Sequence, residues 1–238
     1  MRAPDRAAGF RAVLERPGYE KAAALVIALL FAVGTAGHLW SPTLPLMLAM
    51  TPWFLLLCGA AVIAPAVRAE GARLAVWALA AWAATFGLEA LGVATGLVFG
   101  AYVYGPSLGP MALEVPLVIA FNWVLVTHGA FVLARRVSRN AVAATVLTGL
   151  FAAAFDWVME PAAIRLGYWT WDGADIPLRN YLAWFLIAAA AALFRSMFVK
   201  TPAAERGKRP GEFLALAWLA VQAVFFALLR LGWALSPV

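Results

Sequence analysis

Apolar residues run along the chain in seven long stretches separated by short polar breaks. They cover roughly residues 21–40, 43–66, 72–98, 111–134, 140–160, 178–199 and 212–235. Each reaches the roughly 20 apolar residues that a helix needs to cross a bilayer core. Helices are the only open-ended way to satisfy a backbone in lipid. The pattern predicts an all-α integral membrane protein, one transmembrane domain over 1–238 built as a bundle of seven spanning helices.

Charge orients the bundle. Arg2, Arg6, Arg11, Arg16 and Lys21 precede the first stretch, and Arg68 and Arg73 lie between the second and third. Arg135, Arg136 and Arg139 lie between the fourth and fifth. Arg195, Lys200, Arg206, Lys208 and Arg209 surround the last connection. Fifteen of the 18 basic residues thus fall on one side, leaving Arg165, Arg179 and Arg230 on the other. By the positive-inside rule the N-terminus is cytoplasmic, with 1–20 a cytoplasmic segment, and the C-terminus is external.

Against this background four acids stand out, because an ionisable group inside a span is costly and marks function by default. They are Glu89, Glu114, Asp156 and Glu160. Under the predicted orientation all four lie toward the outer side, where Arg179 and Asn180 open the sixth stretch. Thr85, Glu89, Gly92 and Gly96 share one helical face, and Gly92 with Gly96 makes a small-residue surface suited to close helix packing. Thr148, Ala152, Asp156 and Glu160 share another, opposite Leu147, Phe151, Phe155 and Val158. The acids therefore point into the bundle and the bulky side chains into lipid. The plain alternative is that the acids lock helices together, paired with Arg165, Arg179 or backbone.

Two external loops, 99–110 and 161–177, flank the acids and are rich in Gly, Pro, Tyr and Trp. Most tryptophans, Trp53, Trp77 and Trp218 among them, read as an interfacial belt. Tyr102, Tyr104, Tyr168, Trp169 and Trp171 sit between turn formers beside the acids, where a loop can fold over a cavity.

Composition agrees: 65% of the residues are hydrophobic and 13% charged, against roughly half and a quarter in soluble domains. The net charge of +6 comes from the connections, so it reports topology rather than nucleic-acid binding. Mixed charges before a full-length first span, with no small-residue cleavage pattern after it, predict an uncleaved multi-pass protein of the cell membrane. Cys58 has no partner for a disulfide. Lys21, Lys200 and Lys208 all lie at cytoplasmic ends, so no lysine can hold retinal in a span. His38 and His128 are too few for a di-iron site and fall at different depths. There is no P-loop and no nucleophile elbow. What remains for chemistry is acids, aromatics and water.

The blocks "FGAYVYG", "SLGP", "EVPLVIAFNW", "FDWVMEPAAIRLGYWTWDG" and "IPLRNYLAWF" resemble the carotenoid 1,2-hydratase family, CruF-type membrane proteins of carotenoid biosynthesis. The resemblance spans roughly residues 85–190. It rests on Tyr102 and Tyr104, Val115 to Leu117, Asp156 with Glu160 and Pro161, Trp169 and Trp171, and Asn180 with Trp184. It expects a small residue where Glu114 stands. It implies addition of water to the terminal C1=C2 bond of an acyclic ψ-end group on a lycopene-like or γ-carotene-like carotenoid. It implies no metal, oxygen or redox cofactor. The bilayer and other carotenoid enzymes are the expected partners, and no nucleic acid.

Residue chemistry fits that reaction. Protonating the alkene needs a carboxylic acid that keeps its proton at neutral pH, which burial and a second carboxylate both favour. Asp156 as acid, with Glu160 or Glu89 as its ionised partner, supplies this, and the roles are exchangeable. Tyr102, Tyr104, Trp169, Trp171 and Trp184 can bind the polyene and stabilise a cation, and Asn180 can hold the water. Three rivals keep the acids but change the outcome. A lycopene-cyclase-like enzyme quenches the cation internally, a proton-coupled transporter uses the acids as carriers, and a scaffold does no chemistry.

The orientation is testable directly. Reporter fusions after residues 105 and 172 should both report the external side, and a cytoplasmic signal from both would invert the topology.

Overall fold

The computed structural model describes residues 18–173, 175–199 and 209–235. Seven helices in it are long and apolar enough to cross a membrane. They are α1 (Tyr19–Leu39), α2 (Leu44–Glu70), α3 (Ala72–Thr95), α4 (Leu117–Val137), α5 (Ala141–Arg165), α6 (Leu178–Phe198) and α7 (Glu212–Leu235). Much of the 1–20 segment lies outside the described residues. So do Arg2, Arg6, Arg11, Arg16, Lys200, Arg206 and Lys208, on which much of the predicted orientation rests.

Helix α4 is the axle. It is apolar on every face, as a helix with no lipid-facing side must be, and it packs against α2, α3, α5, α6 and α7. Its neighbour α5 faces lipid through Val142, Val146, Leu150 and Trp157. The predicted lipid face of α5 is corrected here. Phe155 is buried, packing its ring against Trp123 and Phe226. Trp77 and Trp218 are likewise fully buried rather than interfacial. Their indole N–H groups donate to the Ala191 carbonyl and to Asn122 Oδ1. Of these three, Trp53 alone, half exposed, suits a belt.

The helix ends differ from the pattern where backbone chemistry intervenes. Helix α3 stops at Thr95 because Gly96 takes a left-handed φ of 66° and caps it. Gly92 does not seat a neighbouring helix, as its small-residue spacing suggested; a Cβ there would meet the Phe99 ring at 2.7 Å. Residues 111–116, expected to begin α4, instead form a hairpin of β2 (Met111–Ala112) and β3 (Val115–Pro116). Leu113 and Glu114 make its turn at φ 50° and 62°. Pro116 holds the residue before it extended, so the helix begins only after it. Helix α5, expected to end near 160, runs on through Pro161 to Arg165. Pro161 cannot donate to the Trp157 carbonyl. Arg230 of α7 donates to that carbonyl and to the next, at 3.3 and 3.4 Å.

Not everything is helical. The two long connections meet as a ribbon of β1 (Tyr102–Tyr104) and β4 (Trp169–Trp171), antiparallel, with Tyr102 opposite Trp171 and Tyr104 opposite Trp169. Side chains alternate across a strand. Val103 and Thr170 therefore face outward, Val103 at 63% exposure, while the two tyrosines and two tryptophans face the bundle. Gly105 lets the two connections close up: a Cβ there would lie 2.0 Å from the Gly167 carbonyl oxygen.

Helices α5 and α6 come close together at Gly149, where a Cβ would lie 2.6 Å from the Phe185 carbonyl oxygen. Gly149→Val should force them apart. Overpacking of this kind costs about 1–3 kcal/mol, so the purified protein should melt at lower temperature. An unchanged melting curve would show that the contact is not needed.

Candidate active site

Carboxylates taken out of water need hydrogen-bond donors. Glu89, Asp156 and Glu160 are all buried, Asp156 completely, and no ion pair reaches any of them among the described residues. Arg165, one of the cations considered for them, instead lies over the Trp233 ring at 4.6 Å. Neutral groups from three different elements do the work.

Glu89, on α3, accepts from the hydroxyls of Tyr102 and Tyr104 through one oxygen, Oε2; the Tyr104 bond is 2.8 Å. Burial, and after it the charge of Glu89, pushes both phenols well above their usual range. They are donors here, not bases. Glu160, on α5, accepts at Oε2 from the indole N–H groups of Trp169 (3.0 Å) and Trp171 (3.1 Å). The ribbon thus clasps two acids at once, its tyrosines on Glu89 and its tryptophans on Glu160.

Asn180 closes the site from the first turn of α6. Its Nδ2 donates to Asp156 Oδ2 at 2.6 Å and to Glu160 Oε1 at 3.0 Å. An amide NH₂ has two hydrogens, and both are spent here on carboxylates one helical turn apart. Asp156 Oδ1 is buried and has no hydrogen-bond partner among the described residues.

Below the acids lies an aromatic floor. Trp184 stacks on Trp123 at 3.5 Å between ring centroids and on Phe99 at 5.2 Å. A cavity of about 20 Å³ sits between the acids, the ribbon and this floor. A polar space of that size holds about one water. An adjoining cavity of about 290 Å³, almost wholly apolar, runs between α1, α2, α4, α5 and α7. The two share Ile119, Trp123, Met159 and Trp169 as walls. The larger one is lined by Leu30, Val33 and Met50, side chains exposed on the bundle surface.

All nine expected site residues thus converge. Glu89, Asp156, Glu160, Tyr102, Tyr104, Trp169, Trp171, Asn180 and Trp184 line the small cavity. Glu114 is corrected: it sits exposed at the tip of the β2–β3 hairpin. Sequence reasoning missed Phe99, Ile119, Trp123 and Met159. Trp123 could have been found, since it lies two turns into α4 from the residues that start it.

The chain matches the family model described as carotenoid biosynthesis protein over residues 50–237. That covers most of its length. The chain belongs to the carotenoid biosynthesis protein family. A curated relative, the bisanhydrobacterioruberin hydratase of Haloarcula japonica, is 30% identical over 164 residues, 63% of this chain. The aligned region spans about half of that relative, 55% of its length. No solved structure matches.

If Asn180 joins the two carboxylates, removing its amide should be felt in stability. Asn180→Leu keeps the bulk and loses both donors. Leaving buried acceptors unsatisfied costs about 1–3 kcal/mol, so the detergent-solubilised protein should melt earlier. A variant that melts like the parent would mean that the acids are satisfied without it.

Proposed function

We propose that this protein is a carotenoid hydratase of the cell membrane. It adds water across the terminal C1=C2 bond of an acyclic ψ-end group and uses no cofactor. The observation that carries the reading is the pair Asp156 and Glu160, buried, bridged by one amide and without an ion pair among the described residues, at the end of an apolar cavity. Family membership and the hydratase relative support it.

The hydrogen bonds divide the roles. Glu160 accepts three donors, an arrangement that favours an ionised carboxylate. Asp156 accepts one, and its Oδ1 has none. Two carboxylates this close and out of water do not both ionise, so Asp156 is the group suited to carry the proton. It delivers that proton to C2. The π bond is spent, a C–H bond forms, and a tertiary cation remains at C1. Trp123 and Trp169, walls of both cavities, stabilise it by cation–π attraction, worth about 2 kcal/mol when desolvated. Water in the small cavity attacks C1 and gives a proton to Glu160, forming the tertiary alcohol. Transfer of that proton to Asp156 restores the site. Glu89, held by two phenols, lines the same small cavity. The polyene enters from lipid between α1 and α2, and the site faces the external side under the positive-inside orientation.

Expression in a lycopene-producing host is the test. A product heavier than its substrate by the mass of one water supports the hydratase, while an isomer would indicate a cyclase-like quench. Asp156→Asn keeps the shape and cannot deliver the proton. It should accumulate normally in the membrane and form no hydrated product. Glu160→Gln and Glu89→Gln should keep residual rates, about 10²–10⁴-fold down for the group acting as base. Full activity in Asp156→Asn would sink the mechanism.

A further inference from the structure

Of the polar side chains on the wall of the large apolar cavity, Thr51 and His38 with its own unpartnered Nε2 among them, one pair has a fixed direction that the proposed chemistry leaves unused. On that wall, between α4 and α7, Asn122 and Gln222 form an amide pair, with Asn122 Nδ2 donating to Gln222 Oε1 at 2.9 Å. Which way two amides point is normally open to a flip. Here it is fixed from behind. The indole N–H of Trp218 can only donate, and it reaches the Asn122 side chain at 3.3 Å. The atom of Asn122 facing it must be the oxygen. Asn122 therefore turns its NH₂ toward Gln222, which must answer with its own oxygen. The chain Trp218, Asn122, Gln222 has one direction only, and it ends in a donor.

That last donor is Gln222 Nε2. It is buried, in a side chain only 2% exposed on the cavity wall, and it has no hydrogen-bond partner among the described residues. Leaving a buried donor unmade is costly, and a hydrocarbon offers it nothing.

We infer that Gln222 Nε2 is a recognition group for an acceptor oxygen on the polyene, so that the preferred ligand is an acyclic carotenoid already carrying a hydroxyl, ether or carbonyl oxygen. This rests on the hydratase reading for what happens at the other end of the ligand. The oxygen must be on the polyene before it arrives, so an oxygenating or hydrating reaction precedes this one. Because the unpartnered atom is a donor, an oxygen that can only accept serves as well as a hydroxyl.

The test is binding of three polyenes with one carbon skeleton to the purified full chain, read by quenching of tryptophan fluorescence. One is the hydrocarbon, one bears a hydroxyl group and one a methoxy group. The parent should bind both oxygenated polyenes about five- to tenfold more tightly than the hydrocarbon. Gln222→Met should close the gap. Trp218→Phe frees the amides to turn, so the methoxy polyene should lose its advantage while the hydroxylated one, able to donate, keeps it. Equal binding of all three by the parent overturns the inference, as a fixed water holding Nε2 would require. So does a preference for the hydroxyl without the methoxy polyene, which would reverse the polarity. Equal binding with hydrated product formed leaves the hydratase reading intact. Preference for oxygen with no hydration would overturn that reading and leave this inference standing. Failure to bind any polyene overturns both.

Discussion

Three buried carboxylates, with no cation paired to them among the described residues, set the terms for one end of this protein. The lipid around the bundle offers them nothing, and the helices that carry them have spent their backbone donors on their own carbonyls. Donors have to be brought in on side chains from elsewhere. That is why two connections on either side of the bundle converge into a ribbon: it delivers two phenols to Glu89 and two indoles to Glu160. It is also why α6 begins where it does, with Asn180 in its first turn between Asp156 and Glu160. The glycines follow from the same need. Gly105 lets the connections meet, and Gly149 lets α6 come close enough to α5 for Asn180 to reach.

This division explains what could be read from the sequence. Seven spans are legible because length and hydropathy decide them almost alone. The acids are legible because a carboxylate in an apolar run has few reasons to be there. The inward direction of Asp156 and Glu160 follows from helical period. The partners of the acids are another matter. Nothing in "YVY" and "WTW" announces that residues 102–104 pair with 169–171, since pairing between distant segments leaves no local period. The rule that places aromatics at the membrane interface misleads for Trp77 and Trp218, which are buried with partners of their own. Glu114 shows the converse: counted by position along a predicted span, it belongs with the acids, yet two residues at positive φ turn it out of the bundle. Likewise Pro161 reads as a helix end, and the helix passes through it because Arg230, far away in the chain, supplies the missing donor.

The choice of neutral donors also bears on chemistry. An arginine beside Asp156 would satisfy it and hold it ionised, and the same helices would be locked together with no proton to give. Amides, phenols and indoles satisfy a carboxylate without supplying the charge that makes protonation prohibitive. An intramembrane acid meant only to fasten helices gains from the cation, and at the other end of this bundle one such pair exists. Arg195 and Glu70, buried and 2.7 Å apart, join α6 to α2. The molecule thus contains both solutions. It uses the ion pair where it needs a fastener, and uncharged donors where a carboxylate faces a cavity.

The same logic extends to the larger cavity. On the proposed reading, an apolar chamber next to a proton-donating acid would have to keep stray water from the cation while admitting one molecule of it. The aromatic floor of Trp123, Trp184 and Phe99 does the excluding, and the small cavity sets the allowance. A hydrogen-bonding side chain on the far wall works against that exclusion unless a ligand atom meets it. The directed chain from Trp218 through Asn122 leaves the Gln222 NH₂ as the group to satisfy, and on the inference drawn above a polyene oxygen would be the partner that keeps the chamber dry. Position in the chamber would then be read at two points, the alkene by the acids and the oxygen by the amide, with hydrocarbon between them.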